Sequence, residues 1–299
     1  LVGMLLHLTR CTRPDIACAV GLLARYQTNP GPIHWKWGKR ILQYLSGTRD
    51  YGVVYGIPPQ EEAHLSYAPL VIYCDADHAG DLEKRRSRTG VAVFSWGGVT
   101  GWTSSLQTCV ALHTCEAEYV AACTAAKDAV WHRRLCLGFG YSPDELHIST
   151  YSPLSEEEYR GEKPVTIWGD NTAAIALAKN PGVGYKKNKH IEVQYHYTQS
   201  KIADGTVIMR KVHTDDNTSD IFTKPLETKS FTIHRDTLVK SMSTFKTSPF
   251  KSRTLSTKMS AEQHPPKKRP PRDKHWEYIP DGTMIVNSDG TLHPAHTTE

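Results

Sequence analysis

The chain lacks several features by which common protein classes are recognised. Its seven cysteines form no CxxC pair and no zinc-finger spacing with histidine, and its glycines form no phosphate-binding loop. No signal peptide is present, and the apolar run at residues 1–6 is ended by Arg10 and Arg13 too early for a membrane span. The odd cysteine count therefore predicts reduced, mostly buried thiols in a cytosolic or nuclear protein.

Strong charge of either sign is also lacking. A net charge of +5 over 299 residues favours an anionic partner only weakly, and charge alone does not establish nucleic-acid binding. The length allows one or two domains with a sizeable core, and a hydrophobic content of 39% is typical of a soluble protein. The first residue is leucine rather than methionine, which indicates a fragment or a processed product.

The hydrophobic periodicity predicts a helical segment followed by an α/β domain. Residues 1–56 form a helical appendage in this prediction, with one helix beginning at Pro14 and another covering residues 34–45. Strands and helices then alternate over residues 69–240, and the longest helix covers residues 115–137. We predict five strands, at residues 70–74, 90–96, 99–102, 165–168 and 206–212. This order predicts a mixed five-stranded sheet flanked by helices.

The composition changes after the predicted domain. Residues 243–299 are rich in Pro, Ser, Thr and Lys, and we predict that they form a disordered tail. The basic, proline-rich cluster at residues 265–272 is typical of a nuclear address, of a nucleic-acid contact or simply of a solvated tail.

Four acidic residues stand at places where a fold of this kind would bring them together. Asp75 and Asp170 each end an apolar strand. Glu118 opens the long helical pattern, and Asp220 opens a short helix near residue 217. Parallel pairing of the two strands would place their carboxylates side by side at one sheet edge. Crowded carboxylates need a cation, and oxygen ligands favour Mg²⁺ or Mn²⁺, so the pattern predicts a two-metal phosphodiester-cleaving site.

Other interpretations of these residues remain open from the sequence. A single aspartate after a strand is usually a helix cap or a turn residue. Asp77, Asp81 and Glu116 have settings similar to the predicted ligands and compete with them. His213 precedes Asp220 on a loop, where it could move protons or help to release product.

The chain resembles the C-terminal part of a Ty1/copia-type retrotransposon polyprotein, from residue 1 to about residue 240. Segments similar to the end of the reverse transcriptase region lie at residues 12–16, 34–35 and 40–48. Segments similar to the ribonuclease H domain lie at residues 75–81, 85–87, 116–119, 170–171, 189–191 and 220–226. They occur in the order in which the family has them.

This resemblance implies an RNase H fold that cleaves the RNA strand of an RNA–DNA hybrid with two Mg²⁺ or Mn²⁺ ions. It implies that residues 1–56 are the end of a reverse transcriptase, whose remainder would be a partner, and that the protein works in cytoplasmic virus-like particles or in the nucleus. No membrane partner is implied. The implied metal ligands are Asp75, Glu118, Asp170 and Asp220. The implied substrate-binding residues are Arg85, Arg86, Asn171, Lys189 and His190.

Several positions depart from the family pattern in ways that remove positive charge or aromatic surface. They are His78 for tryptophan, residues 104–107 for a lysine-bearing segment, residues 113–115 for a Ser-Ser-Thr-like stretch, and Gln194 and Gln199 for arginines. These losses lower the expected affinity for nucleic acid. The alternative is therefore a catalytically inactive remnant that only binds nucleic acid or has no function. A DDE-type integrase fits less well, because here the glutamate is second among the acids.

Overall fold

The computed structural model describes residues 1–56, 70–81, 83–141, 164–180 and 193–245, together with two short strands in the tail. Residues Leu1–Pro249 form one compact unit and Phe250–Glu299 a second one. In the second unit Met284–Val286 pairs antiparallel with Leu292–Pro294. Apart from these strands and residues 243–245, which belong to a 3-10 turn at Met242–Phe245, the predicted tail lies outside the described residues. Among those that are described, no helix is both long and apolar enough to cross a bilayer.

The N-terminal segment is helical, as predicted. Its helices are α1 (Val2–Cys11), α2 (Ala17–Ala24) and α3 (Pro32–Gly47), and a 3-10 turn at Pro14–Ile16 leads into α2. Proline at the start of α3 loses no hydrogen bond, since the first amides of a helix have no partner within it. A two-residue strand, β1 (Tyr51–Gly52), follows and pairs antiparallel with the late strand Lys240–Ser241.

A mixed five-stranded sheet forms the centre of the first unit and confirms the predicted fold class. Its strands are β2 (Val71–Asp77), β3 (Arg88–Ser95), β4 (Gly98–Leu106), β5 (Val165–Gly169) and β6 (Val207–Lys211). The spatial order is β4-β3-β2-β5-β6. The β2–β3 and β3–β4 pairs are antiparallel, whereas β2–β5 and β5–β6 are parallel.

Helices cover both faces of this sheet. They are α4 (Thr114–Gly138), α5 (Thr172–Lys179), α6 (Tyr197–Ala203) and α7 (Thr228–Leu238), with the strand β7 (Lys240–Ser241) after α7. Five alanines of α4 between residues 121 and 129 are fully buried. Their small side chains let the helix approach β2, β3 and β5 closely, and this contact makes the main core.

The opposite face packs against residues from both ends of the unit. Phe222 and Leu238 are buried there beside Ala92 of β3 and Val99 of β4. The N-terminal helices also reach the sheet, because the indole Nε1 of Trp102 donates a hydrogen bond of 2.6 Å to the carbonyl of Thr9. The helical appendage is thus part of the same compact unit as the sheet.

The parallel pairing of β2 and β5 confirms the relationship on which the site prediction depended. Tyr73 lies opposite Trp168 in that pair, and Asp75 and Asp170 each come two residues later. β2 does not end at Asp75 as predicted, because its pairing with β3 continues to Asp77 opposite Arg88. Asp75 therefore projects from within a strand, since the residues before and after it are also paired with β3.

Candidate active site

Three carboxylates converge near the carboxyl ends of the neighbouring strands β2 and β5. Asp75, Asp170 and Asp220 each offer one oxygen, and these three oxygens all lie within 4.8 Å of one another. Asp75 and Asp220 are buried, with 2% and 5% exposure, whereas Asp170 is partly exposed. Like charges in such a setting repel strongly, since little water screens them. The cluster therefore has the shape and charge of a divalent-cation site, with one side open to solvent.

Asp220 reaches this cluster on a 3-10 turn, Thr218–Phe222, rather than on an α-helix. The fully buried Asn217 caps the turn: its Oδ1 accepts from the amide and hydroxyl of Ser219, at 3.4 and 2.6 Å. The Nδ2 of Asn217 donates to the carbonyl of Cys74, at 3.0 Å. Because Cys74 immediately precedes Asp75, this bond ties the Asp220 turn to the part of β2 that carries Asp75.

Glu118 belongs to the same electrostatic environment but not to the group of three. It lies in the second turn of α4 and is 7% exposed. Burial, followed by the negative charges of Asp75, Asp170 and Asp220 in that order, raises the pKa of Glu118 to about 10. A pKa in this range means that Glu118 holds a proton at neutral pH until a cation offsets the neighbouring charges.

Glu116, the competing candidate, has a different role. Its Oε2 accepts a hydrogen bond of 2.7 Å from the amide of Leu112, in the loop before α4. It lies outside the group of clustered acids among the described residues. The structure therefore favours Glu118 over Glu116 as the glutamate that faces Asp75.

The chemistry of the donor set fits a bound cation. Burial, followed by the charge of Asp75, raises the pKa of Asp220 to about 7. Its Oδ1 is buried and, among the described residues, has no hydrogen-bond partner. A buried oxygen without a partner costs free energy unless something satisfies it. Mg²⁺ or Mn²⁺, which prefer carboxylate oxygens, would do so.

Two further side chains contact the cluster, and the sequence interpretation assigned a role to neither. Thr223 Oγ1 donates to Asp75 Oδ2 at 2.6 Å. Lys224 Nζ lies 2.9 Å from Asp220 Oδ2 and 3.9 Å from Asp75 Oδ2. Their spacing in the sequence could have indicated these contacts, because residues three and four positions after an acid on a helical turn lie on the same side of the turn as that acid.

His213 and Thr214 lie beside the open side of the cluster. Thr214 Oγ1 donates to Asp170 Oδ2 at 2.9 Å and holds that carboxylate in place. The imidazole of His213 is 74% exposed and lies 3.5 Å from Asp215. The role of His213 in proton transfer or product release stays a prediction.

The predicted substrate-binding residues lie in different settings. Arg85 is exposed, with a positive φ of 54°, in the turn between β2 and β3, and Arg86 beside it is partly buried. Asn171 caps α5, its Oδ1 accepting from the amides of Ala173 and Ala174 at 3.0 Å. Its side-chain oxygen is thus already used by the fold. Lys189 and His190 lie outside the described residues, so their roles stay predictions.

Three of the polar residues that replace the family pattern take part in packing. Ser104 Oγ donates to the carbonyl of Phe222 at 2.6 Å, next to the Asp220 turn. Gln107 is buried, and its Nε2 donates to the carbonyl of Ala117 at 2.8 Å. Gln199 Nε2 donates to the carbonyl of Leu177 at 2.9 Å, while the side chain of Gln194 lies outside the described residues. These side chains therefore make hydrogen bonds within the fold itself.

Comparison with known proteins identifies relatives among retrotransposons. No protein-family model matches the chain. It is 36% identical over 235 residues to the retrovirus-related Pol polyprotein of the Nicotiana tabacum transposon TNT 1-94, an alignment that covers 79% of this chain and 16% of the polyprotein. It is also 43% identical over 130 residues to a Plasmopara viticola protein named secreted RxLR effector protein 161, covering 44% of this chain and 87% of that protein.

Solved structures give a weaker likeness. RNase H1 from Halobacterium salinarum aligns with 12% identity and a TM-score of 0.34, covering 52% of this chain and 94% of that enzyme. The sequence relationship is the stronger finding, since the alignment with the tobacco polyprotein covers 79% of this chain. The chain belongs to the copia-type retrotransposon Pol polyproteins, of which it is one segment.

Proposed function

We propose that this segment is a ribonuclease H that cleaves the RNA strand of an RNA–DNA hybrid. The convergence of Asp75, Asp170 and Asp220, with an unsatisfied buried oxygen on Asp220, carries the proposal. Glu118 completes the ligand set, since its proton would be lost once a cation neutralised its neighbours. Mg²⁺ or Mn²⁺ ions bound there would activate water and stabilise the leaving oxygen.

The residues of this chain hold that site in a fixed geometry. Asp75 is the central ligand, because Thr223 orients its Oδ2 and because β2 lies between β3 and β5. Thr214 orients Asp170 at the open side, where a phosphodiester would enter. Fixed carboxylates need no rearrangement as the reaction proceeds, which is the main way in which electrostatic catalysis lowers a barrier.

The substrate would be recognised by shape. A hybrid duplex presents 2′-hydroxyls and phosphates in a wide minor groove, and proteins read these features rather than base edges. In this proposal Arg85 and Arg86, in the turn after β2, supply positive charge near the site, and Lys189 and His190 add to it. Association with the rest of a reverse transcriptase, and a place in cytoplasmic virus-like particles or the nucleus, belong to the same proposal.

The test is cleavage of a labelled RNA–DNA hybrid by the purified chain. We expect RNA fragments with several millimolar Mg²⁺ or Mn²⁺ and none with EDTA. Asp75→Asn should reduce the rate by about a thousandfold, the scale expected when the central ligand of an electrostatic site is removed. Asp236→Asn is the matched control, because Asp236 is a half-exposed acid on α7 that pairs with Arg235 and lies outside the cluster.

A non-catalytic remnant is the second candidate, and the ion pair between Lys224 and Asp220 favours it because part of the cluster's charge is already neutralised. It predicts hybrid binding without cleavage at any metal concentration. Equal cleavage by the wild type and Asp75→Asn would instead contradict the proposed site.

A further inference from the structure

We propose that Lys224 is an internal cation that competes with a divalent metal ion for the Asp75–Asp220 side of the carboxylate cluster, and that it thereby weakens metal binding by this domain. The inference rests on the proposed function, since it concerns the same site. In this proposal Lys224 contacts two of the metal-binding acids and affects how tightly they bind metal, but it does not touch the substrate.

The position of the ammonium carries the argument. Lys224 Nζ lies 2.9 Å from Asp220 Oδ2 and 3.9 Å from Asp75 Oδ2, so it contacts oxygens of two of the three clustered acids. These two side chains are 7% and 3% exposed, and water therefore screens them poorly. An ammonium and a metal ion that both contacted these two carboxylates would lie close together and would repel each other strongly.

Lys224 neutralises the cluster only in part. It approaches Oδ2 of Asp220, while Oδ1 of the same carboxylate stays buried without a partner among the described residues. An ammonium donates hydrogen bonds in a few directions, whereas a divalent ion carries twice the charge and binds several oxygens at once. The cluster therefore keeps a preference for a divalent ion, and the lysine lowers that preference without removing it.

The ammonium of Lys224 can also leave the cluster and move into solvent. Its side chain is 39% exposed, in contrast to the two acids that it contacts. A lysine side chain has four flexible methylenes, so the ammonium can turn into solvent while the backbone of the Asp220 turn stays in place. Entry of a metal ion then exchanges one cation for another at fixed ligands, and in the domain without metal Lys224 neutralises part of the acidic charge.

Calorimetric titration of Mg²⁺ into the metal-free full chain, without nucleic acid, tests the competition. We expect Lys224→Met to bind Mg²⁺ about tenfold more tightly than the wild type, the scale expected when one neighbouring positive charge is removed from a poorly screened site. Lys229→Met is the matched control, because Lys229 is exposed on α7 and its loss changes the net charge equally. Its dissociation constant should stay within twofold of the wild type.

A second measurement uses the wild type, so it does not depend on how well the variant folds. Lysine acylation followed by mass spectrometry should show that Lys224 becomes severalfold more reactive when Mg²⁺ is added, while Lys229 does not change.

The outcomes separate this inference from the function on which it rests. Equal or weaker Mg²⁺ binding by Lys224→Met, or Lys224 reactivity unchanged by saturating Mg²⁺, overturns the competition and leaves the proposed nuclease intact. Absence of Mg²⁺ binding by both the wild type and the variant overturns the proposed function, and the inference with it.

Discussion

Gly90 lies directly opposite Asp75 in the β2–β3 pair, and its lack of a side chain allows the turn that carries Asp220 to pack closely against β3. A Cβ at Gly90 would lie 2.6 Å from the carbonyl oxygen of Ser219 and 2.7 Å from Cγ2 of Thr223. Real Cβ atoms essentially never come that close to another heavy atom, and the carbonyl is backbone that cannot turn aside. Gly90 is therefore required for the geometry of the site as well as for the sheet.

We predict that Gly90→Ala moves the Asp220 turn away from Asp75. Overpacking of this kind costs about 1–3 kcal/mol, and the displaced ligand should reduce hybrid cleavage by roughly a hundredfold. The cleavage rate and the Mg²⁺ dissociation constant are the measurements, with circular dichroism to verify folding. Gly138→Ala is the control, since nothing lies within 4 Å of a Cβ at Gly138. Retained metal affinity in Gly90→Ala would contradict the prediction.

Asn217 provides a separate test of the same connection. We predict that Asn217→Ala lowers the free energy of unfolding by about 2–3 kcal/mol, because it removes a cap and leaves the buried carbonyl of Cys74 without its donor. Urea unfolding measures the change. Asn171→Ala is the comparison, since Asn171 also caps a helix but at a partly exposed position, and it should cost only about 1 kcal/mol. Equal losses in the two variants would show that the bond to Cys74 contributes nothing.

The stability of the metal-free protein should fall as the pH rises. The pKa of Glu118 is raised from an ordinary 4.5 to about 10, and that of Asp220 from 3.8 to about 7. At a pH between the ordinary and the raised pKa of each group, the folded chain keeps a proton that the unfolded chain has released. Raising the pH therefore favours unfolding. Bound magnesium favours the ionised carboxylates, so with Mg²⁺ the stability should depend less on pH.

Thermal unfolding between pH 5.5 and 9, with EDTA or with saturating Mg²⁺, measures this linkage. We expect the melting temperature in EDTA to decline across the range and the stabilisation by Mg²⁺ to grow with pH. Glu118→Gln cannot ionise and should decline less than the wild type in EDTA. The same slope in both proteins would show that Glu118 is not the group that titrates.

Local patterns were sufficient to predict the sheet and the convergence of the strand acids. The apolar run before Asp75 and the one before Asp170 were long enough to indicate strands, whereas their parallel pairing was a condition of the predicted site that the structure supplied. The motifs of the resemblance then ordered the four acids. Each of these signals lies within a few neighbouring residues, or within one strand–helix–strand unit.

The supports of the site could not be predicted, because they join residues that are distant in the chain. Asn217 bonds to a carbonyl 143 positions earlier, and Thr223 to a carboxylate 148 positions earlier. No periodicity encodes such contacts. The close approach at Gly90 is also invisible in the sequence, where that glycine is only one of 21. The ion pair between Lys224 and Asp220 could have been predicted from the sequence, since the two residues are four positions apart.

The last prediction concerns the N-terminal helices, which carry their own buried ion pair. Arg13 donates to both oxygens of Asp15, at 3.0 and 2.8 Å, and also to the carbonyl and hydroxyl of Thr48 at the end of α3. Tyr44 donates to Asp15 Oδ2 at 2.7 Å. The side chains of Arg13 and Asp15 are only 6% and 0% exposed, so neither can turn to water if the other is removed.

We therefore predict that Asp15→Ala lowers the free energy of unfolding by about 3–5 kcal/mol, because it leaves a buried guanidinium without its counter-ion. Asp236→Ala is the control: Asp236 pairs with Arg235 but is 50% exposed, and its loss should cost less than about 1 kcal/mol. Urea unfolding followed by tryptophan fluorescence measures both. Since Trp102 bonds to Thr9, the helices and the sheet should unfold in one transition, and a separate early transition in Asp15→Ala would instead show that the N-terminal helices are an independent unit.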